Sequence, residues 1–530
     1  MIRRLLPMAA FLILTMLVIL GTMSILAQAR KNVLLTRLPD VPRLHDGREV
    51  LKQKIDARNA AVRQCLNRPF GKSDFGELAG ALGQIYQANH FYDRALRCYR
   101  LAVEYDDTSP LWFYLSASVH QQRGETEAMI GFLKHTLHLS TSYSPAVLKL
   151  ADSYFKADRM EQARVSYERR LHLVPGDPYA LMGMARIAMD QGQWDIAETY
   201  LKSAISSDPE FGDAHRLMAE VHEHHHRMDD MNRSLERAAQ CSRFYPASDP
   251  WVDDLQDLCY DPEQLLVLGS MALSRLDIRT AIEKHFARAL KIDPESPAAN
   301  LAIGKAWFMA GEWSRAYRYL IRTLELDPAS DQAYFHLGLI MRKNGNLQEG
   351  ERLFLKALEL QPDNPNVHNN LGVVFLEQGT YPRAIQSFQR ALDIYPEHLE
   401  ALYNLGVALW ASGDSRAAVK QYQHVLNIKP KWRLPANSLA WILATDRDAT
   451  VRNGEKALEW ARVACQGEGK NNPEFLDTLA AAFARAGRFK EAEHTAMEAV
   501  TSSRQTGDEE LAKEIEQRRR LYQSGNAFIE

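Results

Sequence analysis

The chain has 530 residues, of which 46% are hydrophobic and 25% are charged. This composition is that of a globular protein and excludes an intrinsically disordered chain. The formal net charge is −3, from 64 basic and 67 acidic side chains, so the charge balance does not favour a nucleic-acid partner. A compact fold of this length would need several domains, whereas a linear array of repeats would not.

The first residues, 1–31, predict a membrane-targeting segment. Two arginines precede an apolar run from Leu5 to Ala27, which is 23 residues long and therefore long enough for one membrane-spanning helix. Residues 27–29, Ala-Gln-Ala, also have the small-x-small form of a signal-peptidase site. One interpretation is a single-pass membrane protein with its later part on the periplasmic side. The alternative is a protein secreted after cleavage near Ala29. The length of the run favours the anchor.

A period of 34 residues dominates the rest of the chain, and residues 297–432 contain it four times. Five columns of the period stay in phase, and their members are Gly304, Gly338, Gly372 and Gly406; Gly311, Gly345, Gly379 and Gly413; Ala316, Gly350, Ala384 and Ala418; Leu320, Phe354, Phe388 and Tyr422; and Pro328, Pro362, Pro396 and Pro430. Such a fixed period is the sequence signature of a repeat architecture.

Each period predicts a pair of helices. In the repeat 365–398 the first apolar residues follow the spacing of one helix face: Val367, Leu371, Val374 and Phe375. Gly379 suits the end of this helix, and Pro382 suits the first turn of the next one. Gly372 and Ala384 are small where the two helices must approach closely. Because each pair leaves apolar surface bare, it must stack on a neighbouring pair.

This order of residues (Leu-Gly, a later Gly, Ala-x3-Phe and then Pro) resembles the tetratricopeptide repeat, or TPR. The Asn-Leu-Gly motifs at 370–372 and 404–406 make the central repeats similar to the arrays that precede the catalytic domain of O-linked N-acetylglucosamine transferases. The resemblance implies an all-α TPR solenoid of about 12 helix-turn-helix repeats. The predicted domains are a signal anchor at 1–31, a spacer at 32–74, an N-terminal array at 75–245, an insertion at 246–261, a central array at 262–432, divergent units at 433–506, and a capping helix with a tail at 507–530.

No catalytic motif is found, so the sequence predicts a protein that is not an enzyme and uses no cofactor. A nucleophile elbow, a phosphate-binding loop and a C-x-x-C pattern are all missing from the sequence. The repeats run nearly to the last residue, which leaves no room for a catalytic domain. The expected partners are other proteins or peptide segments, and the membrane through the N-terminal helix, without a nucleic acid or a small-molecule substrate.

One histidine-rich stretch formally matches the zinc motif H-E-x-x-H. His222 and His226 would be the metal ligands and Glu223 the base, provided that both histidines lie on one face of a helix. The competing interpretation is an exposed polar patch. It is favoured because His226 falls at the turn after the first helix of a repeat, and because no third ligand is identifiable.

Two of the five cysteines, Cys241 and Cys259, flank the insertion at 246–261. In an oxidising compartment they could form a disulfide that closes this loop. The alternative is two unrelated free thiols, since connectivity cannot be deduced from sequence alone.

The resemblance also implies where a ligand would bind, because TPR solenoids line their concave face with the first helix of each repeat. The matching ligand-groove positions here are Phe335, Arg342, Lys343, Asn369, Asn370, Tyr403, Asn404 and Trp410. Rings beside amides suit an extended peptide, since rings take side chains and amides bond to the backbone. The alternative for each ring is packing between helices, which the same spacing also favours.

These observations predict a scaffold that holds protein or peptide segments in a concave groove outside the cytoplasm. The alternative function is an accessory subunit of an envelope enzyme complex, for example in assembly, cytochrome maturation or glycan handling. A zinc enzyme that uses the H-E-x-x-H motif is disfavoured because no complete site is present.

Overall fold

The fold is built from helices alone over the residues described by the computed structural model, which are 22, 25, 28–44, 48–67, 71–241 and 247–530. No strand occurs within these ranges. The helices form two compact units, 1–310 and 311–530, called here the N-terminal unit and the C-terminal unit. The boundary falls in the turn inside the predicted repeat 297–330.

The N-terminal unit contains seventeen helices among its described residues. They are α1 28–37, α2 Glu49–Cys65, α3 Lys72–Ala88, α4 Tyr92–Tyr105, α5 Pro110–Gln122, α6 Thr126–Leu139, α7 Ser144–Lys156, α8 Met160–Leu173, α9 Pro178–Asp190, α10 Trp194–Ser207, α11 Gly212–His224, α12 Met228–Gln240, α13 Pro250–Asp253, α14 Pro262–Ser274, α15 Ile278–Thr280, α16 Ala287–Ile292 and α17 Pro297–Met309. A 3-10 turn follows α13 at Asp254–Leu258, and a π-helical segment, Ala281–Phe286, joins α15 to α16.

The C-terminal unit contains twelve helices. They are α18 Trp313–Leu326, α19 Asp331–Lys343, α20 Leu347–Leu360, α21 Pro365–Glu377, α22 Tyr381–Ile394, α23 Leu399–Ala411, α24 Ser415–Ile428, α25 Arg433–Thr445, α26 Gly454–Ala464, α27 Pro473–Arg485, α28 Phe489–Gln505 and α29 Glu509–Gln523. Each helix from α18 to α28 packs against the next one in the chain, so this unit is an α-solenoid.

Side chains cap the first helices of the regular repeats, and the turn after α21 falls at the predicted glycine. The first helices α19, α21 and α23 begin after Ser330, Asn364 and His398, and each of these side chains accepts a hydrogen bond from a backbone N–H in the first turn of its helix. Between the two helices of a repeat the backbone turns through a left-handed residue. Gly379, with φ +72°, fills this role after α21, as the sequence predicted.

The core of each regular repeat pairs a glycine with a buried aromatic ring. A Cβ added at Gly372 would lie 2.6 Å from Cε1 of Phe388, whose side chain is fully buried. Gly338 meets Phe354, and Gly406 meets Tyr422, in the same way. The sequence predicted that Gly372 is small because two helices approach each other. The structure gives a more specific reason, since the glycine makes room for the ring of the second helix.

The last helix, α29, packs on α28 and covers the end of the array, as a terminal element of a solenoid must. Its buried residues are Ala512, Ile515 and Tyr522. Leu521 is 40% exposed, whereas the neighbouring Tyr522 is buried in the packing.

The localisation predicted from the N-terminus requires a correction. Over the part of the chain that the structure describes, no helix has both the length and the apolar character needed to cross a membrane. The prediction of a single-pass membrane protein with periplasmic repeats is therefore wrong by this finding. The described part of α1, residues 28–37, carries Arg30 and Lys31, whereas a spanning helix needs about 20 apolar residues. The apolar run at 5–27, apart from Thr22 and Ile25, lies outside the described residues.

Candidate peptide-binding surface

The predicted ligand-groove residues lie on three first helices of the C-terminal unit, α19, α21 and α23. These helices are neighbours, because α21 contacts both of the others. Each has 13 residues and begins at the same point of its repeat, so equivalent positions recur along the surface. The fifth position holds Phe335, Asn369 and Tyr403, and the sixth holds Asn370 and Asn404 in the last two helices.

A hydrogen bond between two side-chain amides links α21 to α23. Nδ2 of Asn404 donates to Oδ1 of Asn369 at 3.0 Å. Asn369 is only 8% exposed, so it supports the surface from below. Asn370 and Asn404 are half-buried, and Nδ2 of Asn370 donates to the backbone oxygen of Asn366 at 2.8 Å. Because an amide has two N–H donors and a carbonyl with two lone pairs, both side chains keep capacity for a peptide backbone.

Two basic residues, Arg342 and Lys343, end α19. Nη1 of Arg342 lies 3.3 Å from Oε1 of Glu377, so this ion pair links α19 to α21. The Nε atom of Arg342 is shielded from solvent and has no hydrogen-bond partner within the described residues. Nζ of Lys343 lies 5.6 Å from the centre of the Trp313 ring. The end of α19 therefore presents positive charge from Lys343, while the Nε atom of Arg342 stays buried.

The rings at the fifth helix position are mainly part of the packing. The centre of the Phe335 ring lies 6.0 Å from that of Phe354. The Tyr403 ring lies 5.8 Å from Tyr422 and 5.5 Å from Trp432. Both side chains are half-buried, so only one part of each ring reaches solvent. The contacts of these two rings are therefore mostly packing contacts with other rings of the core.

Trp410 occupies a different environment at the end of α23. It lines a cavity of ≈ 630 Å³ whose other walls include Arg416, Arg447, Asp448 and Glu530. Arg416 donates to Asp448 at 2.9 Å, and Nε of Arg447 donates to the backbone oxygen of Glu530 at 2.6 Å. The cavity therefore combines one large apolar wall with charged groups that are partly paired.

The histidine-rich stretch does not place the two candidate metal ligands, His222 and His226, on one helix face. Helix α11 ends at His224, and His226 adopts a left-handed conformation with φ +56° in the turn that follows. His222 and His226 therefore do not share a helix face, which H-E-x-x-H requires. A different group, Asp195, Glu198 and His225, brings its ligand atoms within 4.8 Å of one another.

This second group is organised by ion pairs. Glu198 accepts from Arg227 at 2.7 Å and 3.2 Å, and Nζ of Lys202 lies 2.8 Å from the same carboxylate. Both oxygens of Glu198 are therefore engaged by cations, which would repel a metal ion. Hydrogen bonds from Arg227 and Lys202 lower the pKa of Glu198 from its ordinary value to about 2.

We expect Glu198 to make the protein sensitive to acid. A group whose pKa is lowered on folding adds stability above its unfolded pKa of about 4.5, and this stability is lost as the pH falls toward 2. Glu198→Gln should therefore lower stability at pH 7 by about 1–2 kcal/mol after solvent screening. The difference from wild type should shrink below pH 4.5. Melting temperatures between pH 7 and pH 3 measure this, with the exposed Glu223→Gln as control. A constant difference across the range would contradict it.

Cys241 and Cys259 are not bridged in the structure, in which all five cysteines are free thiols. Sγ of Cys241 lies 3.6 Å from the backbone oxygen of Pro209, and Sγ of Cys259 lies 3.8 Å from that of Asp261. Each sulfur therefore has its own local partner. Burial raises the pKa of both thiols above the ordinary value, which disfavours the reactive thiolate.

Comparison with protein families agrees with the repeat architecture. A family model described as tetratricopeptide repeat matches residues 330–397 and 365–431, and a second model with the same description matches residues 160–221. The helix pairs of these segments define a helical-repeat protein. These matched segments are tetratricopeptide repeats, as the 34-residue period predicted. A search of curated proteins gave no significant match.

Several solved structures are similar to parts of the chain. The MamA protein is 24% identical over 32% of this chain and 92% of its own, with a TM-score of 0.29. PilF of Pseudomonas aeruginosa is 21% identical over 42% of this chain and 97% of its own, with a TM-score of 0.37. Yeast Tom70 is 17% identical over 77% of this chain and 91% of its own, with a TM-score of 0.35. These likenesses concern the fold alone.

Proposed function

We propose that the chain is a non-catalytic protein-interaction scaffold, and that α19, α21 and α23 bind extended peptide segments of other proteins. The observation that carries this proposal is the polar connection across the three first helices. The pairs Arg342–Glu377 and Asn369–Asn404 join neighbouring helices and fix the groups between them. A surface whose polar groups are held in place loses less conformational entropy when a ligand binds.

The chemistry of this surface suits a peptide backbone with some acidic character. Half-buried Asn370 and Asn404 can donate to and accept from peptide groups. The positive charge of the Arg342 guanidinium and the exposed ammonium group of Lys343 favour a carboxylate at the α19 end. The exposed edges of Phe335 and Tyr403 add apolar contact between these polar groups.

Peptides selected from a random library on the immobilised full-length chain provide the test. Arg342→Gln combined with Asn370→Ala should weaken the selected peptides at least tenfold, which corresponds to about 1.4 kcal/mol. The matched control is Gln386→Ala with Gln389→Ala, which changes two exposed amides on the second helix α22. Fluorescence anisotropy with labelled peptides gives the affinities, and thermal melting confirms that both variants are folded.

Equal affinities for the wild type and the α19/α21 variant would contradict the proposed surface. Many unrelated peptide sequences would fit a general scaffold. One dominant sequence would favour the alternative, an accessory subunit with a dedicated partner.

A further inference from the structure

The inserted segment after α12 lies across the first helices of the N-terminal unit, and its contacts are those of a bound peptide. We propose that the surface formed by α3, α5 and α7 is a recognition site for an acidic segment with an aromatic residue. In this chain residues 249–260 occupy that site. An external segment of the same class would compete with them for the site.

Asp249 is the most completely bound residue of the segment. Its carboxylate accepts from the hydroxyl of Tyr114 at 2.6 Å and from that of Tyr143 at 3.1 Å. Nζ of Lys149 lies 2.7 Å from the same carboxylate. Asp249 is only 7% exposed. Burial, followed by the charge of Asp249, raises the pKa of both tyrosines, so both hydroxyls remain donors. A buried carboxylate with three donors is a specific recognition contact.

The aromatic residue two positions later binds beside this contact. The Trp251 ring stacks on Tyr143, with 3.6 Å between ring centres and 15° between planes, and it meets the edge of Tyr114 at 5.4 Å. The backbone N–H of Trp251 also donates to the Tyr143 hydroxyl at 3.3 Å. The pair Asp249 and Trp251 therefore forms one anchor, because the same two tyrosines contact both the carboxylate and the ring.

The other end of the segment is held through its backbone. Nδ2 of Asn89, at the end of α3, donates to the backbone oxygen of Leu258 at 2.9 Å. Oδ1 of the same amide accepts from the backbone N–H of Tyr260 at 2.8 Å. Such a two-point amide contact reads a peptide backbone without reading its side chains. Between the two ends Leu255 is buried in the core that α3 and α5 share.

The positions of the site residues within the first helices of their repeats support the same interpretation. Tyr114 is the fifth residue of α5, and Lys149 is the sixth residue of α7. These are the positions that Asn369, Tyr403 and Asn404 hold in the C-terminal unit. The segment also presents exposed Asp253, Asp254 and Asp257 to solvent, so its solvent-facing side is acidic. The site therefore uses the same helix positions as the proposed peptide surface of the C-terminal unit, and its present occupant is part of the same chain.

A labelled peptide of residues 247–261 tests this on the full-length chain. Asp249→Asn combined with Trp251→Ala removes the internal anchor, and this variant should bind the peptide. The wild-type chain should bind it at least tenfold more weakly, because its own segment competes at a high effective concentration. Adding Lys149→Gln to this variant, called here the opened variant, should abolish its tighter binding of the peptide. The control is a peptide that carries the Asn and Ala replacements, which should not bind.

A second measurement needs no variant. The backbone N–H groups of Trp251 and Tyr260 are held by the Tyr143 hydroxyl and by the Asn89 amide. Millimolar peptide should displace the segment in the wild-type chain and speed hydrogen exchange at these two N–H groups. A folded opened variant that ignores the peptide would overturn the proposal, as would an unchanged exchange rate. Either result would make residues 249–260 a permanent part of the core. No residue of this site lies in the C-terminal unit, so this outcome does not depend on peptide binding there.

Discussion

Gly372→Ala is expected to lower the free energy of unfolding by about 1–3 kcal/mol, the usual cost of overpacking a core. The new Cβ would lie 2.6 Å and 2.8 Å from Cε1 and Cδ1 of Phe388. The Phe388 ring is fully buried and cannot move away without disturbing its neighbours. This expectation opposes intrinsic helix propensity, by which Ala is better than Gly by about 1 kcal/mol.

Gly350→Ala is the matched control, and it is expected to raise stability by about 0.5–1 kcal/mol. Gly350 lies in α20, and an added Cβ would come no closer than 3.5 Å to the backbone of Gly338 and Arg342. The other regular repeats already carry an alanine in this column, at Ala316, Ala384 and Ala418. Urea unfolding of both variants measures the two effects. Equal effects of the same sign would contradict the proposed role of the Phe388 ring.

The damage from Gly372→Ala should also be local. In a solenoid each repeat contacts only its neighbours, so the loss of protection should concentrate near residues 331–432. Residues 144–211, in the N-terminal unit, should keep the protection of the wild type. Hydrogen exchange followed by mass spectrometry resolves the two regions. Uniform loosening of the whole chain would be inconsistent with repeat-by-repeat packing.

The sequence predicts the helix pairs well because the same physical requirements recur every 34 residues. In the repeat 365–398 the apolar spacing, Gly379 and Pro382 gave the helices α21 and α22 and the turn between them. The period does not say which neighbour each side chain touches. The period therefore predicts only that Gly372 is small because two helices approach each other. The structure shows instead that the Phe388 ring of the same repeat lies against this glycine.

The candidate site was harder to predict than the fold for a related reason. A half-buried ring at the fifth helix position has the same spacing whether it binds a ligand or packs on the second helix. The surface of the N-terminal unit that residues 249–260 occupy was not predicted from the sequence, although Asp249 and Trp251 stand out in a proline-containing insertion. Asp249 lies 135 positions after Tyr114 and 106 positions after Tyr143 along the chain. Only the tertiary fold brings such groups together.

Tyr403→Ala is expected to cost about 2–3 kcal/mol of stability, because it removes a half-buried ring that packs on two others. The ring lies 5.8 Å from Tyr422 and 5.5 Å from Trp432, and Tyr422 itself fills the space above Gly406. Tyr403→Phe keeps the ring, so it should be close to wild type and serves as the control. Thermal and urea unfolding of both variants give the comparison. If Tyr403→Ala unfolds like the wild type but no longer binds the selected peptides, the ring acts in the ligand surface and not in the packing.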